Sequence, residues 1–531
     1  MKRLPPWLVL LALILAIPSW SMLPRGDEAI YMLQSNLIAH GQWPYRDFFE
    51  FIWPGALLLG ALVIKLTGFS VLAIRMTITL LMLSAIWAID DLAKRFLHLP
   101  WRLLLLALLL FGIVSPFPFF SHHVLSAVFS IWALWHIARF IRHQSHRNLC
   151  FSGLLSGLAA ITTQSLGGLL VVALGITVLA SAQTRTWKNG MLFLASALLP
   201  LLTMAITLLA CGVWPFFWRD TITWLAQGHY ADTSVWGYFS TAPIEFVKTG
   251  FIPKPHHVLI PIWPQVPQAV QLLLLAWLPV LGTLWGWETV FRHRACRSHP
   301  AYAVLLSLTL VSTASLLATC SYSTSYHIAT NAWPGDLLCA MALSRCAKRW
   351  PQCRLAVLFL PLLLLYNTLY TGWQNYQLFN QKENWLASYG TVEKSFLADM
   401  PRNRTLEYSL VTEAIRQYTG QQSPVFIFNV SPEFYFLADR ANPTRYVVIY
   451  PVYISTDQEN EIIRSLETTK TPLLVDDGKA APMVHYDARF RRYHHNPPHL
   501  GPLEDYIHKH YKAQPFSDQF TFYRRIDKTV P

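Results

Sequence analysis

Two consecutive carboxylates, Asp27 and Glu28, follow the first long apolar run of the sequence and begin a predicted helix. A carboxylate held close to an acceptor hydroxyl can remove its proton as a general base. Acidic residues in a first helical turn also stabilise the positive end of the helix dipole. We therefore predict catalytic roles for Asp27 and Glu28, with helix capping as the structural alternative.

The polar segment 24–71 carries further charges that could bind an anionic substrate. Arg25 and Arg46 are suited to neutralising a phosphate leaving group, because a guanidinium donates charge-assisted hydrogen bonds. Asp47 and Glu50 are the other acidic candidates, and we predict substrate binding for both. The segment also contains an apolar stretch, 52–68, which is typical of a helix lying at a membrane interface.

Polar aromatic residues follow two later apolar runs: His122 and His123, and then Tyr326 with His327. At a membrane surface an imidazole can donate to a phosphate, bind a metal or cap a span. Tyrosine and histidine are also ordinary residues of the membrane interface. We predict substrate binding for all four, with an interfacial packing role as the alternative.

No cofactor is predicted with certainty. The seven cysteines have no CxxC spacing, which argues against a thiolate metal site. A divalent metal is one option, and its candidate ligands would be Asp27, Glu28 and His122.

Other acidic residues have structural explanations. Asp90 and Asp91 stand beside Lys94 and Arg95, so local ion pairing is expected. Asp336 lies within a short apolar run and is a functional candidate, although neighbouring polar residues and a proline indicate a broken helix near the surface.

The composition that surrounds these residues is that of a membrane protein. Of 531 residues, 53% are hydrophobic and only 13% are charged, against about 25% charged in soluble proteins. A span needs about 20 apolar residues. Windows of that kind predict eleven spans: 4–23, 72–92, 101–118, 123–141, 150–163, 166–182, 190–212, 268–290, 301–319, 328–344 and 354–372.

The distribution of basic residues predicts the orientation. Lysine and arginine are more frequent in the segments that are cytoplasmic when the N-terminus is cytoplasmic. The net charge of +13 is explained by this topology, so no nucleic-acid partner is predicted. In this arrangement the long segments 24–71 and 213–267 face outward. Arg219 and Asp220, within the second of them, are expected at an exposed loop surface.

Charges return in residues 373–531, where helix and strand patterns alternate. Strands are predicted over 425–430, 445–450 and 472–476, with a helix over 457–468. The region has no glycine-rich phosphate loop. We predict an extracytoplasmic α/β domain here, following a multi-span domain over 1–372.

The order of these motifs resembles that of a known family. The acidic pair after the first span, the sequence Gly41-Gln42-Trp43-Pro44-Tyr45, the glycines from 153 to 168, and Tyr326-His327 are similar to GT-C superfold glycosyltransferases. Within this superfold the sequence most resembles the branch of protein mannosyltransferases and lipid A aminoarabinose transferases. The resemblance is to a bacterial member of that branch. The likeness extends over nearly the whole chain, including Pro432 to Arg440.

This resemblance implies a polytopic GT-C fold in the bacterial inner membrane, with an outward-facing active site. It implies transfer of a sugar from a polyprenyl-phosphate donor to a lipid, glycan or protein acceptor of the cell envelope. The catalytic acidic pair of the family falls on Asp27 and Glu28. Two positions depart from the pattern: Gln164 stands where many members have a lysine, and Ser121-His122-His123 stands where many have a carboxylate.

Two other classes of function fit the composition. A lipid or solute transporter would have charges deep in its spans and paired broken helices in two halves, and we find no matching halves. A non-catalytic envelope-assembly protein would depend on residues 373–531 and tolerate loss of the acidic pair.

Overall fold

The computed structural model describes most of the chain, in ten segments: 27–109, 120–181, 184–226, 265–320, 325–350, 402–428, 431–449, 454–476, 501–517 and 520–526. The predicted spans 4–23 and 354–372 lie outside these residues. The described chain divides into two compact units. One takes its residues from 75–206 and 265–350, and the other from 27–74, 207–226 and 402–526.

The described residues up to 226 are mainly helical. In chain order the helices are α1 (Asp27–Ala39), α2 (Gly55–Thr67), α3 (Val71–Ala93), α4 (Leu99–Leu109), α5 (His122–His143), α6 (His146–Thr162), α7 (Gln164–Ala180), α8 (Trp187–Ala210) and α9 (Trp214–Trp218). A π-helical turn, Arg219–Thr223, then leads into a last short turn, Trp224–Ala226.

Four helices follow in the first unit: α10 (Gln265–Arg292), α11 (Pro300–Cys320), α12 (Ser325–Asn331) and α13 (Trp333–Arg349). The chain breaks between α12 and α13 at Ala332. Pro334 lies in the first turn of α13, where its missing N–H leaves no helical hydrogen bond unmade. The broken helix expected around Asp336 is therefore confirmed.

Four of the described helices, α3, α5, α8 and α11, are long and apolar enough to cross a membrane. The helices α2 and α7 are apolar but shorter. Several apolar helices agree with the predicted polytopic architecture, whereas the count of eleven spans stays a prediction.

Small residues let the helices of the first unit approach closely. A Cβ atom on Gly157 of α6 would lie only 2.2 Å from the carbonyl oxygen of Ala197 in α8. A Cβ atom on Gly282 of α10 would lie 2.0 Å from the carbonyl oxygen of Gly335 in α13. Close backbone approach of this kind is how helices associate where surrounding lipid removes the hydrophobic drive.

The acidic residues at the end of α3 form ion pairs, as expected. Asp91 pairs with Lys94 and with Arg95, and its Oδ2 accepts a hydrogen bond from Trp135 Nε1 at 3.0 Å. Asp90 pairs instead with Arg102, whose Nη2 lies 2.6 Å from Asp90 Oδ2. The pairing predicted with Lys94 and Arg95 is confirmed for Asp91, whereas the partner of Asp90 is Arg102, 12 positions away.

The second unit ends in helices and a mixed sheet. The elements are α14 (Arg402–Tyr418), β1 (Val425–Phe428), α15 (Glu433–Leu437), α16 (Thr456–Thr468), β2 (Leu473–Asp476), α17 (Gly501–His510), β3 (Tyr511–Pro515) and β4 (Thr521–Arg525). The strand order is β1-β2-β4-β3, with β1 parallel to β2 and the other pairs antiparallel. Phe426, Leu474 and Ile462 belong to the buried core on which α16 and α17 pack.

The strand predicted over 445–450 is wrong, because the described residues 445–449 form no strand. Asn442 Nδ2 donates to the carbonyl oxygen of Tyr446 at 2.8 Å, and Asn442 Oδ1 accepts from the backbone N–H of Thr444. These side-chain bonds satisfy backbone groups that a sheet would otherwise use. The apolar residues of this segment, such as Tyr446 and Ile449, are buried although the segment is not a strand.

Candidate active site

Asp27 and Glu28 are the first two residues of α1. Asp27 is exposed, whereas Glu28 is only 2% exposed. Desolvation by the surrounding protein raises the pKa of the Asp27 carboxyl above its ordinary value. A carboxylate of raised basicity suits the role of a general base.

Glu50 lies in the connection between α1 and α2 and is 5% exposed. Its Oε1 accepts hydrogen bonds from the backbone N–H groups of Phe51 at 2.8 Å and Ile52 at 2.9 Å. Burial raises the pKa of this carboxyl to about 7, and the negative charge of Asp27 adds to the rise. The two carboxyls therefore interact electrostatically within the second unit.

Gln34 is a polar residue of this site that the sequence reasoning missed. It is 2% exposed, and its Nε2 donates to the carbonyl oxygen of Phe49 at 3.4 Å. The Gln34 side chain also hydrogen-bonds Glu50, which opposes the rise in the Glu50 pKa. Its Oε1 accepts no hydrogen bond within the described chain. A glutamine seven residues after Asp27 lies on the same helix face, and that spacing was the available signal.

Arg46 and Asp47 form a local ion pair, with Arg46 Nη2 2.8 Å from Asp47 Oδ2. Asp47 Oδ2 also accepts from the backbone N–H of Trp43 at 2.7 Å. This hydrogen bonding lowers the pKa of the Asp47 carboxyl. The pair gives both residues a structural role in the turn, and substrate binding by them stays a prediction.

The expectation for Asp220 is wrong. It is 2% exposed rather than at a loop surface, although Arg219 is exposed. Arg445 Nη1 donates to Asp220 Oδ2 at 2.7 Å, and Arg445 Nη2 donates to Asp220 Oδ1 at 3.1 Å. The contact joins residues 225 positions apart, so no local pattern could predict it.

Three imidazoles meet in the first unit. The rings of His122 and His123 have centroids 3.7 Å apart, and those of His123 and His327 are 4.1 Å apart. His122 and His123 are buried in the first turn of α5, where Ser121 accepts from the N–H of Val124. His327 comes from α12. The structure thus brings together three of the predicted substrate-binding residues.

A second helix begins beside these rings. His122 Nδ1 lies 2.9 Å from Thr163 Oγ1, and the Thr163 hydroxyl donates to the His122 carbonyl at 3.2 Å. Thr163 separates α6 from α7, so Gln164 begins α7. Two helix N-termini, each with the positive end of its dipole, therefore adjoin the imidazoles.

Two of the predicted site residues lie outside the part of the chain whose side chains the structure describes. Arg25 lies outside the described residues, as does the side chain of Tyr326 in α12. Among the residues described, no three histidine, cysteine, aspartate or glutamate side chains are grouped so as to hold a metal ion. Asp336 is 3% exposed in α13, and its Oδ1 makes no hydrogen bond to the described chain.

Comparison with known proteins finds a matching family for part of the chain. Residues 54–209 match the model of the dolichyl-phosphate-mannose-protein mannosyltransferase family. A comparison with curated proteins finds no match.

Two solved structures of one enzyme show the same fold. ArnT from Cupriavidus metallidurans bound to undecaprenyl phosphate superposes with a TM-score of 0.57 at 14% identity, covering 98% of each chain. The apo form of the same enzyme gives 0.54 at 12% identity, covering 98% of this chain and 97% of that one. The oligosaccharyltransferase of Archaeoglobus fulgidus gives 0.49 at 12% identity, covering 96% of this chain and 73% of that one. The predicted resemblance to GT-C glycosyltransferases is confirmed, and the chain is a membrane protein of that fold.

Proposed function

We propose that this GT-C membrane protein transfers a sugar from a polyprenyl-phosphate donor to a lipid, glycan or protein acceptor on the extracytoplasmic face. The observation that carries the proposal is that α1 has Asp27 and Gln34 on one face, and that Gln34 Nε2 donates at 3.4 Å to the carbonyl oxygen of Phe49, next to the buried Glu50. The glycosyltransferase family match over 54–209 supports the class of reaction. The ArnT structure with undecaprenyl phosphate supports the class of donor.

In the proposed reaction an acceptor hydroxyl attacks the anomeric carbon of the donor sugar. A new carbon–oxygen bond forms there, and the bond from the anomeric carbon to the phosphate oxygen breaks. The phosphate leaves with the bonding electrons, as polyprenyl phosphate. Asp27 takes the hydroxyl proton, and its raised pKa makes it a stronger base than an ordinary aspartate. We assign Glu50 the role of increasing the basicity of Asp27 when Glu50 is ionised, and Glu28 the role of a second acidic residue beside Asp27.

Binding of a polyprenyl phosphate needs hydrogen-bond donors, and we assign this role to the imidazole cluster of the first unit, His122, His123 and His327. Neutral imidazoles can each donate one hydrogen bond, and the N-termini of α5 and α7 favour a negative charge. Gln164, at the start of α7, can donate through its amide. The imidazole cluster would take the phosphate-binding role of the lysine that many family members have at the position of Gln164. Arg25, Arg46 and Tyr326 are further candidates for phosphate binding.

The direct test is transfer by the purified protein. The full chain in nanodiscs would be given undecaprenyl-phosphate sugars one at a time, with an envelope lipid and glycan extract as acceptor. Release of undecaprenyl phosphate together with a glycosylated product is the expected result. Solute or lipid flux in proteoliposomes, with no transfer from any donor, would favour a transporter and overturn the proposal.

Replacing His123 by alanine is expected to weaken undecaprenyl phosphate binding about 10–100-fold, because a lost hydrogen bond to a charged group costs about 1.5–3 kcal/mol. The measurement is a titration of undecaprenyl phosphate into the nanodisc protein. His136→Ala is the matched control, since His136 belongs to the same helix but its Nδ1 lies 3.0 Å from Asn148 Oδ1. Equal affinity for both variants would remove His123 from the site.

A further inference from the structure

Arg445 is a cation of the second unit whose guanidinium contacts two carboxylates and a backbone carbonyl. Its side chain is 11% exposed and makes two hydrogen bonds with Asp220. Its Nε donates to Glu461 Oε1 at 2.8 Å. One guanidinium thus lies between two carboxylates, in the forked geometry that only arginine offers.

The same residue also holds the turn that precedes Glu50. Arg445 Nη1 donates to the carbonyl oxygen of Tyr45 at 2.8 Å, and the Arg445 carbonyl accepts from the N–H of Phe49 at 2.7 Å. Tyr45 N–H in turn donates to the Phe48 carbonyl at 2.7 Å. The side chain and the backbone of Arg445 therefore bind both ends of the turn from Tyr45 to Phe49.

This turn needs support from its surroundings. Tyr45 has a φ of 71°, a left-handed conformation that is unfavourable for a non-glycine residue. Its side chain is fully buried, and its hydroxyl donates to the carbonyl oxygen of Ile52 at 2.8 Å. Tyr45 and Arg445 together enclose the backbone from 45 to 52.

Glu50 lies within that enclosed segment. It follows Phe49 directly, and its carboxyl accepts from the N–H groups of Phe51 and Ile52. The Phe49 ring packs on Tyr446 and Trp224, with centroids 5.5 and 5.4 Å away. A shift of the Phe49 backbone would therefore change both the position of the Glu50 carboxyl and the hydrogen bonds that it accepts.

We propose that Arg445 is a positioning residue for the transfer reaction: by binding the Tyr45 carbonyl and the Phe49 N–H, it fixes the backbone that holds the Glu50 carboxyl at the N–H groups of Phe51 and Ile52. This inference rests on the proposed function. Asp220 and Glu461 orient the guanidinium, so they act one step further from the reaction. A lysine would keep the positive charge but could not make the same set of bonds.

The variants are Arg445→Gln and Arg445→Lys, with Arg525→Gln as the matched control. Arg525 is also a buried arginine of the second unit, 6% exposed, and its Nη2 lies 2.5 Å from Glu467 Oε2. It binds α16, α17 and the sheet rather than the turn. The first measurement is backbone amide hydrogen exchange in the full chain, followed by mass spectrometry over peptides that cover 43–53.

Both Arg445 variants are expected to speed exchange over 43–53 at least 10-fold, and Arg525→Gln is expected to leave it within about twofold. Exchange at the wild-type rate in Arg445→Gln would overturn the positioning role, whether or not the protein shows transferase activity. This readout does not need a donor, so it separates the failure of this inference from failure of the proposed function.

The second measurement is the pH dependence of transfer. The ionisation near pH 7 that we assign to Glu50 is expected to shift in Arg445→Gln and Arg445→Lys, with kcat reduced about 10–100-fold and KM within threefold. Arg525→Gln is expected to keep the wild-type profile even where its melting temperature falls. If Arg445→Gln and Arg525→Gln both lose kcat to the same extent and both keep the wild-type pH profile, Arg445 has only a structural role.

Discussion

Replacing Asp27 by asparagine is expected to lower the rate of sugar transfer about 10²–10⁴-fold, which is the usual contribution of a general base. Asparagine keeps the size and the hydrogen-bonding capacity of the side chain but cannot accept the hydroxyl proton. Because the residue is exposed at the start of α1, the fold is expected to tolerate the change. The measurement is kcat for release of undecaprenyl phosphate from the donor that the wild type uses.

Binding provides the control for this variant. Affinity for undecaprenyl phosphate should stay within about twofold in Asp27→Asn, since the phosphate is assigned to the imidazole cluster. Asp457→Asn is the matched comparison, because Asp457 is also an exposed aspartate in the first turn of a helix, α16, and this change should leave kcat within about threefold. Wild-type transfer by Asp27→Asn would exclude Asp27 from the chemistry.

The pH dependence of the same reaction reports on Glu50. Its pKa is raised to about 7, and ionisation there places a second negative charge near Asp27, which increases the basicity of Asp27. The wild-type rate should therefore rise through pH 7, and Glu50→Gln should lack this step. A Glu50→Gln profile that coincides with the wild type would contradict the coupling of the two carboxyls.

The pH dependence of stability is an independent test of the raised pKa of Glu50. A raised pKa means that the folded state binds the Glu50 proton more tightly than the unfolded state does. Protonated Glu50 therefore contributes to the free energy of unfolding below about pH 4.5, and this contribution is lost as the pH rises through about 7. From the two pKa values the difference is about 3 kcal/mol at most. The free energy of unfolding of the wild type should decline over this range relative to Glu50→Gln.

The second large effect is expected in the helix packing of the first unit. Gly157→Ala would place a Cβ atom 2.2 Å from the Ala197 carbonyl oxygen and 3.0 Å from the Pro200 ring, so α6 and α8 must separate. Overpacking usually costs about 1–3 kcal/mol, and a clash with backbone belongs at or above the upper end of that range. We expect a melting temperature lowered by several degrees and a reduced monodisperse yield in size-exclusion chromatography.

Gly168→Ala is the matched control. It lies in α7, and a Cβ atom there would meet nothing within 4 Å. Alanine has the higher helix propensity, so this variant should be neutral or more stable by up to about 1 kcal/mol. Equal melting temperatures for the two variants would show that α6 and α8 are not in close contact at Gly157.

Much of the helical framework was predictable from the sequence, because its signals are local. An apolar run of sufficient length predicts a helix whatever it packs against, so α3, α5, α8 and α11 agree with predicted spans. The ion pair of Asp91 with Lys94 was predictable, since the two residues are three positions apart. That Asp90 forms an ion pair was also predictable, but its partner Arg102 was not. The carboxylates at the start of α1 were found for the same reason.

Only the tertiary structure decided the environments of the polar residues. The burial of Glu50, the approach of His327 to His123, and the pairing of Asp220 with Arg445 all depend on residues that are distant in sequence. The sequence by itself determined which residue types were available and which segments were apolar. Which carboxyl is desolvated and which cation faces it follow from long-range packing, because burial and electrostatic coupling are properties of the folded surroundings rather than of a residue's neighbours in the chain.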